Sequence, residues 1–439
     1  MSARNRELLA LVPASLLLTA GFAAIFIQQS EILTDVSLTY GAIFLGLCFA
    51  GHLFLRFTLP HADPYMFPLV AVLACFGLVV IYRIDEELAR EQAQWFVVGL
   101  ALFALTILLL RDLRVLERYR YTIALAGLFL LFLPRVPGIG AQVNGAYLGV
   151  AIGPISFQPA EFGKIAIIIF LAAYLRDTRQ VLVQGSRRVL GVTIPPLKHF
   201  GPVLVVWGAA MLMLIFIRDL GSSLMYFGGF LALLYVATSR LSFVTIGVAM
   251  FAVGAWFFAS TVSHVQDRVD VWRDPFNPEW VERQGYQIAQ SLFAQADGGL
   301  FGTGLGASLL RGPGGETLIP APHTDLIYAV IVNELGLVGA CGLLLVYMLL
   351  AERGFRTATL ATDSFSKLLA AGLSAVFALQ VFVIVGGVTK VIPLTGVTLP
   401  FVSYGGSSIL ANFVLLALLL LVSDRARRPS GAMGRRGLR

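Results

Sequence analysis

Uncharged apolar stretches that cross, or with tilt nearly cross, about 30 Å of hydrocarbon recur along almost the whole chain. A segment surrounded by lipid must satisfy its own backbone N–H and C=O groups, and a helix does this alone. Twelve such runs are counted, at residues 8–28, 38–55, 66–82, 95–110, 122–133, 162–175, 203–217, 224–238, 243–260, 326–350, 368–388 and 410–422. The fifth and sixth are short, so the count rests partly on tilt. With 58% hydrophobic residues, 13% charged residues and a mean hydropathy of +0.83, the 439-residue chain would expose too much apolar surface to stay dissolved. The expected fold is an all-α membrane protein, a polytopic bundle of about 12 transmembrane helices with one long extracellular loop at 261–324.

The basic residues set the expected orientation. With a cytoplasmic N-terminus, 22 of the 32 Lys and Arg fall on the cytoplasmic side. The positive-inside rule then puts both termini in the cytoplasm and the polar loop outside. The net charge of +7 is mostly a topology signal, with attraction to anionic membrane lipids added. The charges form no patterned basic element, which argues against nucleic acid as a partner. Cys48, Cys75 and Cys341 lie within expected spans and read as small apolar core residues, with no paired cysteines in the outer loops. Five scattered histidines show no ligand spacing, so no metal site is expected. The absence of a GxxxxGK[ST] loop disfavours an ATP-driven pump within this chain.

The outer loop and the charges beside the spans carry the chemistry. Residues 264–275 alternate charges with apolar anchors and suit a segment lying on the membrane surface. Residues 285–296 carry Ile288, Leu292 and Phe293 at helical spacing, the pattern of a short amphipathic helix. Gly298, Gly299, Gly302, Gly304 and Gly306 would let backbone N–H groups approach an anion, although tight turns give the same composition. Asp325 stands where the loop re-enters an apolar helix. Two readings stay open for it: a helix cap, or a base at the mouth of a cavity. Glu334 lies half a turn out of phase with Asp325 and is better read as a partner for a polar group on another helix.

Ionisable groups near the spans are costly and so are site candidates. Glu161 and Lys164 share one helix face and can neutralise each other. Arg218 and Asp219 sit at an outer helix end. Lys390 stands near the outer end of the eleventh run, where anion binding and snorkelling explain it equally well. Residues 393–408 combine two Pro, three Gly and many hydroxyls at membrane depth, which lipid-exposed backbone does not tolerate, so they suggest a cleft open to the outside. On these grounds alone a secondary transporter is the first reading.

Several of these stretches resemble one family in combination. They are Asn144-Gly145-Ala146, Gln158-Pro159-Ala160-Glu161 with Lys164, Asp219-Leu220-Gly221, Gly285-Tyr286-Gln287 with Gln290-Ser291, residues 302–306, His323-Thr324-Asp325, Glu334-Leu335-Gly336 and residues 399–408. The chain is similar over residues 63–424 to the SEDS proteins, the RodA and FtsW type. The resemblance implies a peptidoglycan glycosyltransferase that polymerises lipid II on the outer face of a bacterial plasma membrane, with Asp325 as catalytic base. It also implies that Lys164, Arg218 and Lys390 face the pyrophosphate, with Glu161 orienting Lys164 and with His323 and Ser403 in the substrate site. A divalent cation, Mg or Mn, could share the pyrophosphate, but no sequence signature demands one. The implied partner is a class B penicillin-binding protein. Residues 1–60 form an additional N-terminal helix pair, 61–424 the core, and 425–439 a basic cytoplasmic tail. A lipid II flippase and a noncatalytic scaffold are the alternative readings.

Overall fold

A computed structural model describes residues 2–29, 35–143, 146–152, 155–184, 187–189, 192–194, 208, 220–308 and 318–428. In chain order the helices are α1 (Ala3–Ala10), α2 (Val12–Gln29), α3 (Asp35–Thr58), α4 (Met66–Ile84), α5 (Glu86–Leu109), α6 (Arg114–Arg118), α7 (Arg120–Phe132) and α8 (Ala160–Gln184). They continue with α9 (Leu220–Thr238), α10 (Leu241–Thr261), α11 (Ser263–Arg273), α12 (Tyr286–Gly298), α13 (Ile327–Leu360), α14 (Ser364–Val388) and α15 (Gly406–Ala426). Eleven of the twelve expected runs fall on α2–α5, α7–α10 and α13–α15; the seventh, 203–217, lies outside the described residues. Among the described residues, eight helices are long and apolar enough to cross a membrane. The helix α7 is too short by itself, and α8 carries Glu161, Lys164, Arg176, Asp177 and Arg179 near its two ends.

The chain is an all-α polytopic membrane protein, and apolar surface is distributed accordingly. The central helices α14 and α15 are buried along most of their length, whereas α10 turns nearly all of its surface outward. Exposed Phe57, Trp256, Met348 and Leu109 would be untenable in water but are ordinary against lipid. The helix α15 packs along α5, α13 along α14, α7 along α8, and α9 along α14. Two small antiparallel sheets, not anticipated from the sequence, occupy loops: β1 (Gly140–Val143), β2 (Ala146–Ile152) and β3 (Ile155–Phe157) in one, β4 (Arg187–Val189) and β5 (Val192–Ile194) in the other.

Two sequence expectations need correcting. Cys48 and Cys75 are buried, but Cys341 is exposed on α13, because that helix turns one face away from the bundle. In α12 the buried face is Ile288, Ala289, Ser291 and Ala294, while Phe293 points outward and meets Phe276 at 5.4 Å between ring centroids. The anchoring stripe is displaced because α12 packs on α13, where Asn333 Nδ2 donates to the Ala294 carbonyl at 2.7 Å.

Candidate functional site

The irregular stretch between α14 and α15 turns at two positive-φ positions, Gly396 (φ 72°) and Phe401 (φ 64°), and closes against the loop that leads into α13. Tyr404 N–H donates to the His323 carbonyl at 2.8 Å. The Ser403 hydroxyl accepts from Leu399 N–H at 2.8 Å and donates to the Thr324 carbonyl at 2.6 Å. Both flanking residues of Asp325 on its N-terminal side are thus stitched to the 393–405 segment. From α5, Gln92 Nε2 donates to the Ser403 carbonyl at 3.0 Å, and its Oε1 accepts from Gly405 N–H at 3.2 Å. The Tyr404 hydroxyl bonds Glu91; burial first, and then that carboxylate, push the phenol up.

Asp325 sits just before α13, half-buried, with Thr324 Oγ1 donating to its Oδ1 at 3.0 Å. The cap position of α13 is Leu326, with no side-chain capping bond, so Asp325 is not spent as a helix cap. Burial raises its pKa above the usual 3.8; the hydrogen bond from Thr324, the N–H groups of Asp325 and Leu326, and the charge of Arg268 pull the other way. His323 is held below its ordinary value, chiefly by burial, and is neutral near pH 7. Arg268, on α11, donates to the Leu394 carbonyl at 2.5 Å and brings a cation to the same opening. Sequence reading did not single it out. Its only signal was the charge alternation of residues 264–275, which gives no depth or direction.

Glu161 and Lys164 come from the first turns of α8. Lys164 Nζ donates to Glu161 Oε2 at 2.5 Å and to Gln380 Oε1 at 2.6 Å, all three side chains being buried. Gln380 Nε2 in turn donates to the Thr398 carbonyl at 2.9 Å, so the ion pair is wired into the segment lying beside Asp325. Lys390 takes φ 63°, and its carbonyl accepts from Trp272 Nε1 at 3.0 Å, tying α11 to the end of α14. Arg218 and Asp219 lie outside the described residues. The site therefore gathers His323, Asp325 and Ser403 directly, links Glu161 and Lys164 to them through Gln380, and adds Arg268. No group of three or more His, Cys, Asp or Glu side chains suited to a metal exists among the described residues.

The glycine cluster has a structural occupant for its N–H groups. Gly304 N–H donates to the Glu334 carbonyl at 3.0 Å and Gly306 N–H to Glu334 Oε2 at 3.0 Å, while Ser308 Oγ donates to Oε1 at 2.8 Å. Arg83, from the end of α4, stands 3.5 Å from the same carboxylate, which is the interhelical polar partner the sequence called for. The anion those glycines approach is the protein's own. At Gly302 (φ 83°) a Cβ would run into the Glu334 backbone. Replacing Glu334 with alanine is expected to cost about 3 kcal/mol, since it takes the carboxylate from the partly buried Arg83 guanidinium and strands the Gly306 N–H and the Ser308 hydroxyl. Thermal unfolding in detergent, with faster proteolysis of residues 299–308, would report it; an unchanged midpoint would refute the clamp.

These features define a class: a polytopic helical membrane protein with a half-buried carboxylate, a neutral histidine and a cation at one mouth of the bundle. The family model described as "Cell cycle protein", FtsW/RodA/SpoVE, matches residues 64–428, and the chain belongs to that family. It is 42% identical over 438 residues to the peptidoglycan glycosyltransferase RodA of Mycobacterium tuberculosis, covering 97% of this chain and 92% of that one. It is 32% identical over 363 residues to the stage V sporulation protein E of Bacillus subtilis, covering 82% and 93%. Among solved structures, the Thermus thermophilus rod shape determining protein RodA superposes with a TM-score of 0.58 at 27% identity, covering 84% of this chain and 98% of that one. A chain of a peptidoglycan synthase complex that coordinates polymerization and crosslinking superposes with a TM-score of 0.65 at 27% identity, covering 84% and 99%.

Proposed function

We infer that this chain is a peptidoglycan glycosyltransferase that polymerises lipid II. Its placement in the bacterial plasma membrane, with both termini in the cytoplasm and Asp325 facing outward, is part of the same reading. The observation that carries the mechanism is the Asp325 carboxylate, half-buried and uncommitted to capping, at an opening to which Arg268 is tied through the Leu394 carbonyl. Glycan elongation requires a sugar hydroxyl to attack an anomeric carbon while the bond to a lipid-linked pyrophosphate breaks. The proton passes to Asp325, the new glycosidic bond forms, and the electron pair leaves with the pyrophosphate. Positive charge must meet the charge that develops on that leaving group. Arg268, Lys390 and Arg218 are the candidates in contact with it, and Lys164, already paired with Glu161 and Gln380, acts through the segment it holds. Ser403 and His323 position the Asp325 loop. The described residues gather no metal cage, so a bound Mg or Mn would be shared with the pyrophosphate itself.

The enzyme works with a penicillin-binding protein that crosslinks the new strand, and a class B transpeptidase is the proposed partner. Purified chain with that partner, given lipid II in liposomes, is expected to yield glycan polymer on gels. Movement of lipid II across the bilayer without polymer would replace this reading by a flippase. Absence of both, with recruitment of the transpeptidase intact, would replace it by a scaffold.

A further inference from the structure

The opposite end of the bundle carries a second built site. A cavity of about 360 Å³ opens there, lined by Arg6 of α1, Asp63 before α4, Arg353 and Arg356 near the end of α13, and Arg427 after α15. Helix α13 kinks at Gly336, and Arg356 lies 20 residues beyond the kink, about 30 Å at 1.5 Å per residue, so the cavity is separate from Asp325. The proposed orientation puts it in the cytoplasm.

The charges in this cavity do not balance. Asp63, which is buried, is the one carboxylate in the lining. It is held by Arg427 at 2.7 Å, by Tyr65 N–H at 2.9 Å and, at 3.9 Å, by Arg353. Arg353 also stacks over Tyr65, 4.7 Å from the ring centroid, and reaches the exposed Glu352 at 3.2 Å. Neighbouring acids are taken: Asp424 by Arg428 at 2.7 Å and by His61 N–H at 2.9 Å, Glu7 by Arg4 and by His52 at 2.7 Å. Arg6 and Arg356 have no side-chain hydrogen bond or ion pair among the described residues. Burial holds Arg427 below its ordinary value; Asp63 opposes this, and Arg356, Arg353 and Arg4 add to it by repulsion.

A topology signal needs arginines at helix ends pointing into water. It does not need four of them, from three distant parts of the chain, aimed into one cavity. Guanidinium groups offer planar donor pairs that match phosphate oxygens. We propose that this cavity binds a phosphate-ester group, either the headgroup of an anionic lipid of the adjoining leaflet or a soluble phosphate compound. Because α1 supplies Arg6 and also anchors the 61–64 turn through Arg4 Nη2 to the Ala62 carbonyl at 2.5 Å, the site couples the N-terminal addition to the core.

The test uses full-length protein in nanodiscs of phosphatidylcholine alone or mixed with phosphatidylglycerol, and inorganic phosphate added to the former. Thermal unfolding and native mass spectrometry of retained lipid are the readouts. Phosphatidylglycerol, inorganic phosphate or both are expected to stabilise the wild type. The double variant Arg6→Ala/Arg356→Ala removes two exposed, unpartnered side chains and is expected to bind at least about tenfold more weakly. Arg114→Ala/Arg118→Ala, exposed on the same end but outside the cavity, is expected to bind as the wild type does. Protection by phosphatidylglycerol alone assigns a lipid headgroup, and protection by phosphate as well assigns a site open to soluble esters. No protection by either, or equal losses in the two double variants, would overturn the proposal. Neither readout uses polymerisation, so failure here is distinguishable from failure of the glycosyltransferase reading.

Discussion

Replacing Asp325 with asparagine is expected to lower lipid II polymerisation by about 10²- to 10⁴-fold, the range a positioned general base contributes, while leaving the fold intact. The hydrogen bond from Thr324 can still be accepted by an amide oxygen, and the Ser403 and Tyr404 bonds to the loop involve backbone groups the substitution does not touch. Polymer yield and thermal unfolding of the same preparation would separate the two effects. Retained polymerisation in a well-folded variant would remove Asp325 from the mechanism. Because burial raises the Asp325 pKa, the group is charged and able to accept a proton only above that raised value. Activity is expected to fall as pH drops through it, at a higher pH than a free aspartate near 3.8 would give. Stability runs the other way. The folded chain binds this proton more tightly than the unfolded chain, so the contribution is greatest at low pH and is lost as pH rises from 3.8 through the raised value.

The second large effect concerns the buried pair on α8. Lys164→Met leaves the Glu161 carboxylate buried without its cation and is expected to cost about 3–5 kcal/mol, whereas Glu161→Gln with Lys164→Met should recover most of that loss. Chemical unfolding in detergent measures both. A stability cost below about 1 kcal/mol for the single variant would show that the pair is not held away from water. The double variant also separates two roles. If Lys164 acts only by holding the Gln380–Thr398 connection, restored packing brings polymerisation partly back; if it meets the pyrophosphate, stability returns and activity does not.

Much of the helical frame was legible in the sequence because lipid leaves a backbone few choices. Apolar length alone therefore located α3–α5, α9, α10 and α13–α15. Helices α7 and α8 were legible only as shorter runs, because charged residues cut the apolar stretch at their ends; the structure pairs those charges, Arg120 of α7 with Asp177 of α8 and Arg176 of α8 with Glu117 of α6. The candidate site residues Asp325, Glu161 and Lys164 stood out because ionisable groups beside apolar runs are rare and costly.

What the sequence by itself determined is the medium and the helical, membrane-spanning class. It also determined the family, because the motifs recur in order. Only the tertiary structure decided which polar groups answer which. It turned the glycine cluster onto Glu334, brought Arg268 to the Leu394 carbonyl in the segment beside Asp325, faced Phe293 and Cys341 outward, and drew four arginines into one cavity. Hydrophobic burial depends on composition and period, which a one-dimensional string records. Pairing of charges and donors depends on direction and distance between segments up to hundreds of residues apart, which no local pattern encodes.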